Sequence, residues 1–324
     1  MDKHIALSDS SLRTPDSEST TAGSSQIQDL RKMFICWWHR STVLRFMIPF
    51  MIPLTIFWIL PLIGSFLISF TDWNYISPRM NFVGLNNYFH VFTSHGFQRA
   101  VRNTILFSLG TNMTTIALGL VMAMGFQNHY RGSRFYQMAI FSPWVTPAVA
   151  VSMVWSWIYQ PERGLANYLL TSLGFAPLQW LHSSDTAMLG IVIFTIWKTV
   201  GWTMLFYIGA LERVPQSLYE AAHLDGCSAW NRFRYITLPL ISPTTFFLFI
   251  VNMITSIQVY DQIQIMTQGG PGGSTTTLLY LYYQQAFQNF QMGPANAVAM
   301  VILVLILVLS ILSMKISKRW VHYD

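Results

Sequence analysis

Residues 295–314 read ANAVAMVILVLILVLSILSM, twenty positions without a formal charge. A helix needs about 20 mainly apolar residues to cross the hydrocarbon core of a bilayer. This run has that length, and it shows no polar face that would turn to water. Working outward from it, five more stretches meet the same standard: 46–70, 101–127, 135–159, 187–211 and 239–264. The first carries Pro49, Pro53 and Pro61, and the third carries Pro143 and Pro147. Proline is tolerated in membrane helices where neighbours satisfy the freed carbonyls, so these positions predict kinks inside a bundle. The runs are continuous and do not alternate over ten-residue segments, which excludes a β-barrel. The expected fold is an all-α integral membrane protein with six transmembrane helices.

Composition agrees. Only 10% of the 324 residues are charged and 52% are apolar, where a soluble domain averages about 25% charged. The polar residues are concentrated in the tail over 1–45, whose SDSSLRTPDSESTTAGSSQIQ stretch lacks the apolar surface to offset its ordering entropy and reads as disordered. No apolar core follows an early basic start there, so the tail is not a secretory signal. Cys36 and Cys227 are too few for a disulfide framework. The basic residues flank the apolar runs instead of forming an aromatic-interleaved patch, which argues against a nucleic-acid partner and for membrane orientation.

Six spans place both termini on one side. That side holds fourteen Lys and Arg residues: Lys3, Arg13, Arg31, Lys32, Arg40 and Arg45 in the tail; Arg131 and Arg134; Arg213, Arg232 and Arg234; and Lys315, Lys318 and Arg319. The other side holds four, Arg79, Arg99, Arg102 and Arg163. Positive charge marks the cytoplasmic face, so both termini are expected there. The external segments are then 71–100, 160–186 and 265–294, with Trp73, Tyr75, Trp155, Trp157 and Tyr159 suited to the interfacial aromatic belt.

The spans lack an engine. Lys198 and Asp261 are the charges clearly within them, and the eight histidines fall outside or at their edges, which makes a poor proton relay. No G-x-x-x-x-G-K-[ST] phosphate loop, H-E-x-x-H or G-x-S-x-G occurs, so neither ATP binding in the Walker manner nor an intramembrane enzyme is supported. Uphill transport would draw its energy from a partner. A secondary carrier or channel for a small polar solute is the competing reading, and ATP dependence separates the two.

The fourth loop, 212–238, is unlike a plain connector. Pro215 suits the start of a helix, Leu218, Ala221, Ala222 and Asp225 recur at helical spacing, and Gly226 suits the left-handed residue that ends it. Ser228 could cap a second short helix carrying Trp230 and Phe233. The run Glu220-Ala221-Ala222, then Gly226, Ile236 and Leu238-Pro239, resembles the EAA motif of the membrane subunits of binding-protein-dependent ABC importers, at the family spacing. The resemblance implies the type I ABC importer fold, with this loop as the coupling helix that docks on a nucleotide-binding subunit. Thr267-Gln268-Gly269-Gly270-Pro271 is similar to the TxGGP segment of the carbohydrate branch, the maltose- and glycerol-3-phosphate-type permeases. Asn81 to Tyr88 (NFVGLNNY) and IWKTVGW in the fourth span fit the same branch. The likeness covers roughly residues 45–320.

The chain then divides into the tail over 1–45, the first span with its loop over 46–100, a permease core over 101–314 containing the coupling loop, and a C-terminal tail over 315–324. The resemblance implies a subunit of the bacterial cytoplasmic membrane that binds no cofactor itself, with ATP and Mg on two partner ATPases. It also implies a second homologous permease and an extracytoplasmic sugar-binding protein. Gly269, Gly270 and Pro271 place a turn at the outer face, and the segment they open either packs against neighbouring spans or contacts that binding protein. A sugar needs aromatic faces and hydrogen-bonding groups. Polar and aromatic span residues that could meet it are Asn252, Gln258, Tyr260 and Asp261 in the fifth span, Trp144 in the third, and Lys198 and Trp202 in the fourth. Such residues also serve as interhelical glue, at about 0.6–2 kcal/mol each. Leu279, Tyr283, Ala286 and Phe290 predict one face of an amphipathic helix beyond the glycines.

Overall fold

A computed structural model of the chain describes residues 42–126 and 131–320. The polar tail lies outside the described residues up to position 41, as do Cys36, His129 and residues 321–324. Regular structure among the described residues is helical, with one isolated bridge, Thr71 to Phe82. The helices run α1 (Phe46–Ile68), α2 (Asn86–Thr93), α3 (His95–Gly125), α4 (Ser133–Val145), α5 (Ala148–Ile158), α6 (Leu165–Ser172) and α7 (Ala187–Leu211). They continue as α8 (Gln216–Leu224), α9 (Ala229–Leu240), α10 (Ser242–Ile257), α11 (Asp261–Met266), α12 (Leu278–Tyr283) and α13 (Met292–Trp320).

Four of these, α1, α3, α7 and α13, are long and apolar enough to cross a membrane alone. The pairs α4–α5, bent by 100°, and α9–α10, bent by 64°, bring the total to six when each counts as one span. The chain divides between Gly64 and Ser65 into two units. In the first, Thr42–Leu54 contains Pro49 and Pro53 and passes into a π-helical turn, Thr55–Ile59, just after the second proline. Proline cannot donate to the carbonyl four residues back, and widening the turn is one way to absorb the gap.

The second unit is a bundle organised on α7. Met204, Tyr207 and Leu211 of α7 pack with Ala123 of α3 and with Ile241 and Leu248 at α10. Lipid tails are as apolar as leucine, so membrane helices associate through close packing and small residues. Gly119 and Gly201 serve that purpose. A Cβ on Gly119 would lie 2.7 Å from Thr203 Cγ2, and one on Gly201 would run into the Ile140 carbonyl of α4. A second core at one end of the bundle joins α2, α3, α12 and α13 through Val91, Phe97, Ala100, Leu278, Leu281 and Val298.

At that same end, the NFVGLNNY stretch acts as a clip. Buried Asn87 donates to the Ser69 and Thr71 carbonyls at 2.8 and 2.7 Å. Asn81 donates from its side chain and backbone to the Asp72 carboxylate at 2.9 and 2.8 Å, which holds that carboxyl below its ordinary range.

The bend in the third span follows from its prolines. Pro143 cannot bond the Ala139 carbonyl, which accepts from the Ser142 hydroxyl at 2.9 Å instead. Pro147 leaves the Pro143 carbonyl free, and Thr146 Oγ1 donates to it at 2.6 Å. The helix cannot continue through Thr146 and Pro147, and the chain turns there.

Two expectations need correction. The fifth span was expected to run to 264, but α10 ends at Ile257, and Asp261 opens a separate short helix after a break at 258–260. Irregular backbone at membrane depth is stable where it lines a cavity, and these residues do. The amphipathic face predicted for 279–290 is also shifted. α12 buries Leu278, Tyr280 and Leu281, a π-helical turn at Gln284–Gln288 resets the register, and of the predicted face only Ala286 is fully buried.

Candidate functional site

Three polar features stand out. The first is a cavity of about 310 Å³ between α3, α4, α7, α10, the 258–260 break and the start of α11. Asn252, Gln258, Tyr260, Asp261, Trp144 and Lys198 all line it, so the structure gathers six of the seven span residues singled out above. The seventh, Trp202, lies outside the lining but stacks on Trp144, with ring centroids 5.0 Å apart and planes at 16°. The Trp202 indole N–H has no hydrogen-bond partner among the described residues.

Several lining groups tie helices together. Asn252 Nδ2 donates to Thr203 Oγ1 and Gln262 Nε2 to Thr195 Oγ1, both at 3.3 Å. Lys198 Nζ donates to three carbonyls at the α4–α5 break: Pro143 at 2.9 Å, Thr146 at 2.7 Å and Trp144 at 3.4 Å. An ammonium has three protons. All three are directed to carbonyls at the break between the two helices, so this lysine pins the bend.

Sequence reasoning passed over one wall. Thr111, Asn112 and Thr115 of α3 also line the cavity. Asn112 Nδ2 donates to the Phe249 carbonyl at 2.9 Å, while its Oδ1 is buried with no partner among the described residues. The signal was present: a polar stripe at i, i+4 within an otherwise apolar span marks an inward face.

The second feature is the loop at the opposite end from the Asn81 clip. α8 begins after Pro215, whose backbone is still extended at the N-cap, and ends at Asp225. Gly226 follows with φ +73°. The Gly226 N–H bonds the His223 carbonyl at 3.1 Å and the Cys227 N–H bonds the Ala222 carbonyl at 2.9 Å. These two bonds form a Schellman cap, which requires a left-handed residue where glycine stands. Ser228 accepts from the Asn231 N–H at 3.3 Å and starts α9. Tyr219 and Thr237 share a hydroxyl–hydroxyl hydrogen bond of 2.9 Å, tying α8 to α9. Ala222 faces inward, whereas Glu220, Ala221, Gly226 and Leu238 are exposed and Pro239 is half-buried. Leu224 projects almost fully, at 88% exposure. A large apolar side chain is thus held out at the end of a capped helix.

The third feature is the glycine-rich turn at the Asn81 end. Gly269 (φ +78°) is buried, and a Cβ there would lie 2.6 Å from the Tyr280 ring. Thr275 and Thr276 hydroxyls bond the Gly270 and Gly269 carbonyls at 2.9 and 3.0 Å. Asn103 of α3 donates to the Gly273 and Thr276 carbonyls, both at 3.0 Å, and Arg99 donates to the Gly272 carbonyl. Gly270 and Pro271 are half-buried, leaving Gln268 and Gly272 as the exposed tip.

A multi-span helical bundle with a broken-helix polar cavity at its centre and a capped helix projecting from one end defines a polytopic membrane transport protein. Residues 115–322 match the model described as "Binding-protein-dependent transport system inner membrane component", and the chain belongs to that family. Among curated relatives, the probable ABC transporter permease protein YurN of Bacillus subtilis is 31% identical, over 83% of this chain and 94% of its own. The trehalose/maltose transport system permease protein MalF of Thermococcus litoralis is 34% identical, over 84% and 92%. The sn-glycerol-3-phosphate transport system permease protein UgpA of Agrobacterium fabrum is 33% identical, over 75% and 83%. A crystal structure of a bacterial ABC transporter involved in the import of the acidic polysaccharide alginate contains a chain of the same fold. Its TM-score is 0.75 at 24% identity, over 87% of this chain and 96% of that one.

Proposed function

We propose that this chain is a permease subunit of an ATP-driven importer in a bacterial cytoplasmic membrane, and that it passes a saccharide through the cavity at its centre. Both termini lie in the cytoplasm. A second, homologous permease closes the pathway, and two ATPase subunits, which hold the ATP and Mg, dock below. One of them docks on the exposed surface bearing Glu220, Ala221 and Gly226, with Ala222 of the same motif packed inward behind it. A sugar-binding protein docks at the other end, near Gly269, Gly270 and Pro271. The chain itself catalyses nothing; it is a pathway and a lever.

The observation that carries this reading is a mechanical connection. The exposed helix α8 is hydrogen-bonded to α9, and α9 runs through Leu238 and Pro239 into α10, which supplies Asn252, Thr255 and Ser256 to the cavity wall. A push on α8 therefore reaches the binding residues through packed helices, not through a loose linker. Closure of the ATPase pair would tilt α10 and change access to the cavity. Relatives that are transport-system permeases for trehalose or maltose, arabinooligosaccharides and sn-glycerol 3-phosphate support a polyhydroxylated solute.

The test is reconstitution of this chain with the second permease, the ATPase and the binding protein in proteoliposomes. The solute panel is trehalose, maltotriose, an arabinotriose, an alginate trisaccharide and sn-glycerol 3-phosphate. Uptake of at least one member should require both ATP and the binding protein. ATP-independent uptake by this chain alone would establish the carrier or channel reading instead.

A further inference from the structure

Trp144 and Trp202 are the first two members of a longer file. Trp202 packs against Phe206 with centroids 4.4 Å apart, and Phe206 stacks on Phe247 at 5.5 Å and 29°. Four rings from three spans thus lie in sequence: Trp144 on α4, Trp202 and Phe206 on α7, and Phe247 on α10. Trp144 belongs to the polar cavity. The other three line a separate groove of about 510 Å³ that reaches Arg213, just beyond the end of α7. The file therefore joins two hollows.

Helix geometry makes the joint continuous. Thr195 and Thr199 line the cavity, and Trp202, Phe206, Gly209 and Arg213 line the groove. Their first four spacings, of four, three, four and three residues, keep five of them on one narrow face of a 3.6-residue helix, and Arg213 follows four residues on, just past its end. On α10 the same holds for Thr244 and Phe247 in the groove and Thr255 in the cavity. One face of each helix is polar at cavity level and aromatic below it, and on the α7 side it leads to the cation of Arg213.

We infer that this aromatic file is a second saccharide subsite, an exit track along which a ring-shaped sugar passes from the polar cavity toward the end bearing Arg213 and the α8 loop. The inference rests on the permease reading above and adds a solute class: a saccharide with a closed ring, not an open-chain polyol phosphate. The chemistry is that of an amphipathic ligand. The hydroxyls on a sugar ring's edge need amides and hydroxyls, which the cavity supplies, while its C–H faces are apolar and cover well on an aromatic plane. Stacking is non-directional compared with hydrogen bonding, so a ring can move from one face to the next without breaking a fixed set of polar bonds. Release from a pathway requires sites that are several and weak, not one and strong. Arg213 is exposed at the mouth, where water meets the emerging hydroxyls.

The experiment uses the reconstituted complex and the same five-member panel. In the Phe206→Leu/Phe247→Leu variant, volume and apolarity are nearly kept and the rings are lost. Uptake of the carried saccharide should fall about two- to tenfold, the range that aromatic contacts of this kind contribute. Binding-protein-stimulated ATPase activity should hold, so less sugar moves per ATP. Phe247→Tyr keeps the ring and should lose less uptake than Phe247→Leu. Unchanged uptake in the leucine variant, at parental membrane content, overturns the track. So does uptake confined to sn-glycerol 3-phosphate, which leaves the ATP-driven permease standing and changes its solute. Absence of uptake for the whole panel overturns the permease reading itself. Phe247→Cys supplies an independent check: a water-soluble thiol reagent should reach it during ATP turnover. Constant protection by the second permease would make this face a subunit interface and end the proposal.

Discussion

Replacing Gly226 perturbs the α8 loop in a way the geometry can price. Its φ of +73° lies in the left-handed region, yet a Cβ at this position would meet no atom within 4 Å. A side chain therefore costs nothing by collision, and the whole penalty is backbone conformation, about 1–2 kcal/mol for an ordinary L-residue. The alternative is to leave that conformation, which breaks the Gly226–His223 and Cys227–Ala222 bonds of 3.1 and 2.9 Å. Each such bond contributes about 0.5–1.5 kcal/mol net, so escape is no cheaper than strain. A nine-residue helix such as α8 is marginal by itself. Losing 1–2 kcal/mol makes opening of the loop roughly 5- to 30-fold more frequent.

Asparagine visits the left-handed region with the least penalty after glycine. Gly226→Asn should stay near the parent and Gly226→Ala should lose several-fold. Gly226→Asp should lose most, because its carboxylate adds to that of Asp225 on a face proposed to fit a partner. The assay is binding-protein-stimulated ATPase of the full complex, normalised to the amount of this subunit in the membrane. Insertion should be unaffected, since the spans are untouched. Parental stimulation in both the alanine and aspartate variants would refute the assignment of this loop as the coupling element.

Other outcomes follow from the bundle. Gly201→Ala drives a Cβ into the Ile140 carbonyl and the Phe141 backbone; overpacking of this kind costs about 1–3 kcal/mol. The thermal unfolding midpoint in detergent should drop, whereas Gly209→Ala, which meets nothing within 4 Å, should leave it in place. Lys198→Met removes all three donors from the α4–α5 break, at about 1–3 kcal/mol for the stranded carbonyls. Lys198→Arg should recover part of that stability, and equal melting of the methionine and parent proteins would show that the pin is idle. In a Cys36→Ser background, Cys227 should react with an impermeant maleimide only from the cytoplasmic side, and an added Gly272→Cys only from outside. External labelling of Cys227 would invert the topology.

Much of this protein was legible residue by residue. The apolar runs, the prolines of the third span and the glycine ending α8 are local signals, because span length, a missing N–H and a left-handed φ are properties of a short segment. The candidate cavity residues were legible as a set, since polar side chains within spans are costly wherever they are not directed inward. Their division of labour was not. In the sequence Lys198 reads as a charge facing a solute, and the carbonyls that occupy it come from residues more than fifty positions earlier. Asn112 and its stripe on α3 escaped notice because one amide among threonines resembles ordinary interhelical glue.

By itself, then, the sequence determined that the chain spans a membrane about six times, which loop forms a capped helix, and which spans carry polar groups. Those outcomes follow from transfer energies and backbone sterics, which act within a few turns of one helix. Only the tertiary structure decided where the fifth span breaks, which carbonyls Lys198 satisfies, and that rings from α4, α7 and α10 form one file beside the polar cavity. Each of these depends on which faces of distant helices cross, and on glycines such as Gly201 letting them approach to contact. That information lies in the packing of three helices at once, and no single segment contains it.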